Sequence, residues 1–126
     1  MITAVSTADA PGAVGPYSQA IKTGNLLFVF GQLPIDPATG EFNSDDVVKQ
    51  AEQCLKNMAA IAKEAGTELS KTVKTTVLLT SLGDFAEVNQ VYAEFFSEPF
   101  PARACYEVKA LSKGAKVEIE AVIAVG

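Results

Sequence analysis

Histidine and tryptophan are absent from this 126-residue chain, and Arg103 is its one arginine among ten basic residues. Without histidine, one type of chain cannot build a Ser-His-Asp triad, a Cys-His dyad or a His-ligated metal centre. Cysteine is scarce too. Cys54 and Cys105 lie too far apart for a CxxC motif and are too few for a disulfide framework, so they read as buried free thiols in a reducing compartment. No apolar run approaches the ~18–20 residues that span a bilayer. The first twenty residues have neither the basic start nor the apolar core of a signal peptide. Cytoplasmic location is the expectation. Positive charge is in deficit: fifteen acids against ten bases give a net charge of −5 and a pI near 4.6. Such a chain is a poor electrostatic match for a phosphate backbone or an anionic membrane, and neither is expected as a partner.

What is present suits one globular domain, 1–126, with 48% apolar and 20% charged residues. Residues 1–16, small and rich in Pro and Gly, read as an irregular lead-in, and 17–22 as a short edge strand. Leu26 to Phe30 is a continuous apolar run between Gly24-Asn25 and Gly31, which predicts a strand buried on both faces. Two prolines and a Thr-Gly pair make 34–43 a set of turns. Ser44-Asp45-Asp46 starts a helix whose apolar stripe runs through Val47, Ala51, Cys54, Leu55, Met58, Ala62 and Ala65, and Gly66 ends it. Residues 73–80 are β-branched and read as a strand. Asp84, with Glu87 three residues on, opens a second helix lined by Phe85, Val88, Tyr92, Phe95 and Phe96, and Pro99 and Pro101 forbid its continuation. Strands follow at 103–109 and 116–125, the latter strictly alternating. Two helices cover one face of a sheet. The second face also carries apolar side chains, which predicts that another copy of the chain covers it.

Candidate chemistry starts at Arg103, because a guanidinium fork binds a carboxylate in a bidentate way that lysine cannot. Cys105 lies on the same side of that strand, but no histidine is available to activate it as a nucleophile. Glu118 and Glu120 share a strand face that turns apolar at Val122, so either carboxylate can be partly desolvated and act as a base toward water. Tyr17, at a turn-to-strand entry, and Asn89, mid-helix against its propensity, are weaker candidates.

Four segments then match a known pattern: PGAVGPYSQA (11–20), GQLPIDPATGE (31–41), FPAR (100–103) and VEIEA (117–121). In order and approximate spacing they resemble the Rid/YjgF family of reactive intermediate deaminases, over nearly the whole chain. The resemblance implies an α+β, chorismate-mutase-like protomer with a mixed sheet and two helices on one face. It implies a homotrimer with clefts between subunits, and hydrolysis of 2-imino acids such as 2-iminobutanoate and 2-iminopropanoate without metal or organic cofactor. Carried over by position, Arg103 holds the substrate carboxylate and Glu118 positions the attacking water. Cys105 contributes backbone groups near the imine, and Tyr17 and Asn89 line the pocket. Three positions depart from the pattern. Phe30 stands where serine is usual, replacing a hydroxyl with a ring that narrows or changes substrate range if it faces the cleft. The loop before Pro101 is short, and Ser112 replaces a common proline. Two other readings stand beside deaminase: a divergent member that binds a small carboxylate metabolite through Arg103, favoured by Phe30, and a ribonuclease or translation inhibitor, disfavoured by the acidic charge and missing basic aromatic platform.

Overall fold

The computed structural model describes residues 1–126. The elements are β1 (Ile2–Val5), β2 (Ala20–Thr23), β3 (Leu26–Gln32), the two-residue strands β4 (Ile35–Asp36) and β5 (Glu41–Phe42), α1 (Val47–Glu64), β6 (Thr72–Leu79), α2 (Phe85–Phe95), β7 (Ala102–Glu107) and β8 (Val117–Ala124). Six strands form one sheet in the order β1-β2-β3-β8-β6-β7. Every pairing is antiparallel except that of β6 with β7, which are joined through α2. β8 is antiparallel to both its neighbours, so β3 and β6 run parallel with β8 between them, a split β-α-β arrangement. No helix is long and apolar enough to cross a membrane.

Both helices pack on one face. α1 buries Val47, Ala51, Cys54, Leu55, Met58, Ile61 and Ala62 against Leu27, Val29, Val117, Ile119, Ala121 and Ile123 of the sheet. Its first turn is capped by Asp46, whose carboxylate accepts from the Lys49 N–H at 3.2 Å, while the Ser44 hydroxyl accepts from the Asp46 N–H. Gly66 follows the helix at φ +80°, a conformation open to glycine without penalty. Cys54 is fully buried, its Sγ 3.8 Å from the Val117 carbonyl. Burial foremost, with the Glu118 charge adding to it, pushes its thiol well up. Core packing is its role.

Several expectations need correction. The lead-in is not wholly irregular: Ile2–Val5 pairs with β2, which moves β2 from the edge to the interior of the sheet. Nothing in 1–16 alternates, so the strand had no periodic signal; partner and register come from β2. Asp84 and Glu87, three residues apart, form no reciprocal cap at the start of α2. Asp84 makes no side-chain cap, and the Ser81 hydroxyl instead accepts from the Gly83 N–H in the turn before the helix. Residues 34–43 are more than turns, since β4 and β5 pair as a minimal hairpin. Finally, β3 is not buried on both faces of the protomer. Leu27 and Val29 are buried beneath α1, whereas Phe28 is 45% and Phe30 47% exposed.

Those two rings stand on the face without helices. Thr76, Glu120 and Val122 share it, and with Phe28, Phe30 and Lys74 they border a groove of about 320 Å³. The sheet is therefore apolar on both sides but covered on one.

Candidate active site

β-Sheet parity sorts the candidate residues. Arg103 lies beside Thr75 and Cys105 beside Val77 in the parallel β6–β7 pair. Thr75 and Val77 are buried under the helices, so Arg103 and Cys105 project to the helix side. β7 is the last strand of the sheet, and its Arg103 reaches side chains of α2. There the Arg103 Nη1 donates to the Asn89 Oδ1 at 2.6 Å. The guanidinium lies over the Tyr92 ring at 4.7 Å and the Phe85 ring at 5.2 Å. Tyr92 is held from below, its hydroxyl 2.7 Å from the Thr75 hydroxyl, and burial raises its phenol so that it stays protonated. Arg103 is thus a rigidly seated yet exposed cation whose one side-chain hydrogen bond goes to a neutral amide. Most of its fork is free to take a carboxylate. Burial also raises the Cys105 thiol, and Arg103 only partly offsets this, so the group is a poor nucleophile at neutral pH.

Glu118 faces the other way. It pairs with Leu78, and Glu120 with Thr76, across β6, while their neighbours Val117, Ile119 and Ala121 point into the core. Between Val29 and Gln32 the register of β3 against β8 shifts. The Glu118 side chain lies across Gly31 at this irregularity. Its carboxyl is half-buried and pushed above the ordinary glutamate range, first by desolvation and then by the Glu120 charge. Such a carboxylate is a stronger base than one in water.

A cavity of about 380 Å³ opens beside it, with Tyr17, Phe30, Gly31, Gln32, Lys113 and Glu118 in its wall. Tyr17 and Phe30 stack with ring centroids 4.4 Å apart, and the Val14 N–H donates to the Tyr17 hydroxyl at 3.1 Å. Gln19 anchors the loop that carries Tyr17. Buried, it accepts from the Thr7 N–H and donates to the carbonyls of Thr7, Ala10 and Pro11. Leu33 and Ile35 also line the cavity, and the buried Asn57 of α1 donates to both their carbonyls.

Glu120 borders the open groove with Phe28 and Val122, and the other six candidates divide. Tyr17, Phe30 and Glu118 meet in one cavity. Arg103, Asn89 and Cys105 meet at the β7 edge. Within one protomer, Arg103 and Glu118 leave the sheet on opposite faces and cannot reach the same small molecule. Sequence reasoning passed over Gly31, Gln19 and Lys113. Glycine after an apolar run was legible only as a strand boundary. Lys113 adopts φ +58° in the turn before β8, and only the Gly114 beside it hinted at a turn.

Known proteins are similar to this chain in sequence and in fold. The family model described as endoribonuclease L-PSP matches residues 7–125. A RutC family protein of Sinorhizobium fredii is 80% identical over 123 residues, spanning 98% of both chains. The human 2-iminobutanoate/2-iminopropanoate deaminase is 50% identical over 118 residues, spanning 94% of this chain and 86% of its own. The crystal structure of RidA from an Antarctic Psychrobacter superposes with a TM-score of 0.94 at 46% identity, covering 98% of this chain and 99% of the other. On sequence and on fold alike, the chain belongs to the Rid family, whose model carries the description endoribonuclease L-PSP.

Proposed function

We propose that the protein hydrolyses 2-imino acids, with 2-iminobutanoate and 2-iminopropanoate as the first substrates to test, to 2-keto acids and ammonia. The observation that carries this reading is the division of the site into two complementary halves. An exposed, aromatic-seated cation lies at one sheet edge, and a partly desolvated carboxylate lies in a cavity on the opposite face. Relatives about 50% identical that are named for this reaction support it.

A small α-imino acid has two features to recognise, a carboxylate and an electrophilic carbon. Arg103 of one copy takes the carboxylate, with Asn89 steadying the guanidinium. Glu118 of a second copy accepts a proton from water as its oxygen bonds to the imine carbon. Protonated Glu118 returns that proton to the carbinolamine nitrogen and then takes the hydroxyl proton as the C–N bond breaks and the carbonyl forms; the departing ammonia picks up this proton and leaves as ammonium. The carboxylate is thereby restored. A protonated imine is already a strong electrophile, so orientation and a positioned base suffice. The two halves require distinct patches to meet, and the apolar sheet face around Phe28 supplies the surface. A homotrimer satisfies both demands as a closed ring. Truncating Arg103 should cost about 2–5 kcal/mol of transition-state binding, much of it from the unpaired carboxylate.

One observation favours a second reading. The Phe30 ring is part of the Glu118 cavity wall, which fits a site narrowed toward binding a carboxylate metabolite without turnover. The experiment generates imine in situ with a threonine dehydratase or an amino acid oxidase and lets semicarbazide compete for it. Wild type should suppress semicarbazone formation, and Arg103→Ala and Glu118→Gln should not. Equal suppression by all three proteins would overturn the assignment. Failure of wild type to suppress it would favour the binding reading.

A further inference from the structure

Gly31 is buried, and its φ lies outside the left-handed region, so its backbone does not require glycine. Space does. A Cβ built at position 31 would stand 2.9 Å from the Glu118 Cδ and 3.2 Å from its Cγ, and closer still to one carboxylate oxygen. The rest of the irregularity is secured independently of Glu118. The Phe30 N–H donates to the Gln19 carbonyl at 3.0 Å, and the Gln32 side chain donates back to the Phe30 carbonyl at 3.0 Å. β3 thus offers a fixed notch one side chain deep, and the Glu118 carboxylate rests in it.

We propose that Gly31 is a positioning residue for Glu118. The missing side chain lets the carboxylate lie flat across β3, half out of water and facing the Tyr17–Phe30 cavity. Any side chain at position 31 rotates it out toward solvent. This inference rests on the catalytic role given to Glu118 above. It also predicts an unusual separation of effects. What must yield to a new methyl group is the far end of a flexible side chain rather than packed backbone, so stability is barely touched. The reacting group, however, moves by more than an ångström.

The test is Gly31→Ala in the intact oligomer. Thermal stability and oligomeric state should stay close to wild type. A misplacement of ~1 Å is enough to lower kcat about a hundredfold, while KM changes little because Arg103 still holds the carboxylate. The acid limb of the pH–kcat profile should move to lower pH, since a Glu118 swung toward solvent loses its desolvation. Simple loosening of the fold would reduce the active fraction without moving that midpoint. Glu118→Asp, which withdraws the carboxylate by one methylene, should be harmful in wild type but add little in the Gly31→Ala background. Full activity with an unshifted acid limb, or strictly additive losses in the double variant, would overturn the proposal. Carboxyl NMR of Glu118 separates this outcome from failure of the deaminase reading. If wild type turns over no imine, a downward shift of the Glu118 titration in Gly31→Ala still supports the notch, and an unchanged titration removes it.

Discussion

Arg103 and Glu118 project from opposite faces of one sheet, so a cleft that uses both must draw them from different copies. Mixing two inactive variants tests this directly. Arg103→Ala retains an intact Glu118 half, and Glu118→Gln retains an intact Arg103 half. Alone, each should be nearly inactive: the 2–5 kcal/mol assigned to Arg103 is about a thirtyfold to several-thousandfold loss. In an equimolar, randomly assembled mixture, a cleft is whole when the copy giving Arg103 is the Glu118→Gln chain and the copy giving Glu118 is the Arg103→Ala chain. Each condition holds half the time, so about a quarter of the clefts are restored, whatever the number of copies in the ring. Co-expression or joint refolding provides the mixture, and native mass spectrometry verifies that mixed oligomers form. The semicarbazide competition assay gives the rate. Recovery near a quarter of wild type would establish an intersubunit site. A mixture no better than the average of its parents, despite verified mixed oligomers, would refute the reasoning from sheet parity.

Three further outcomes are expected. The burial of Glu118 and the charge of Glu120 both raise the Glu118 carboxyl, so activity should fall as pH drops through a midpoint above the ordinary glutamate value. Glu120→Gln removes the like charge, so a pH–rate series should show that midpoint at lower pH. Phe28→Glu puts a charge at the centre of the uncovered apolar face and should yield smaller species in light scattering, with near-native circular dichroism if the protomer folds alone. Asn57→Ala leaves the carbonyls of Leu33 and Ile35 without their buried donor, and urea denaturation should register a loss of about 1–3 kcal/mol.

Where one physical signal dominates, the sequence was legible. The 3.6-residue stripe of α1, its glycine terminator and the alternation of β8 locate the core because burial on one face leaves a periodic trace. Arg103 was conspicuous as the lone arginine, and Glu118 as an acid on a strand turning apolar. Illegible features depend on partners distant in sequence. β1 has no pattern of its own, and its pairing with β2 fixes it. The Phe28–Phe30 stretch read as doubly buried because every residue in it is apolar, whereas in the protomer the helices cover only the Leu27–Val29 side. The separation of Tyr17, Phe30 and Glu118 from Arg103, Asn89 and Cys105 needed the register of β6 between β7 and β8. No spacing along the chain contains that register. The notch at Gly31 was hidden for a different reason, since it is a missing atom whose meaning depends on a side chain 87 positions away.

The place of β8 in the sheet has a kinetic consequence. It is the last strand of the chain, yet it lies between β3 and β6 and is the only strand that pairs with both. Until it inserts, β1–β2–β3 and β6–β7 are two separate ribbons, each with an unpaired inner edge open to neighbouring chains. On the ribosome, those edges wait for β8 to emerge. Closing the sheet joins residues distant in sequence, such as Leu27 with Ile123, and this high contact order slows the decisive step. The hazard is therefore greatest just before β8 is made, when nascent chains already carry both ribbons and still lack the strand that joins them. A pulse of aggregation confined to chains stalled before Val117 would be its signature.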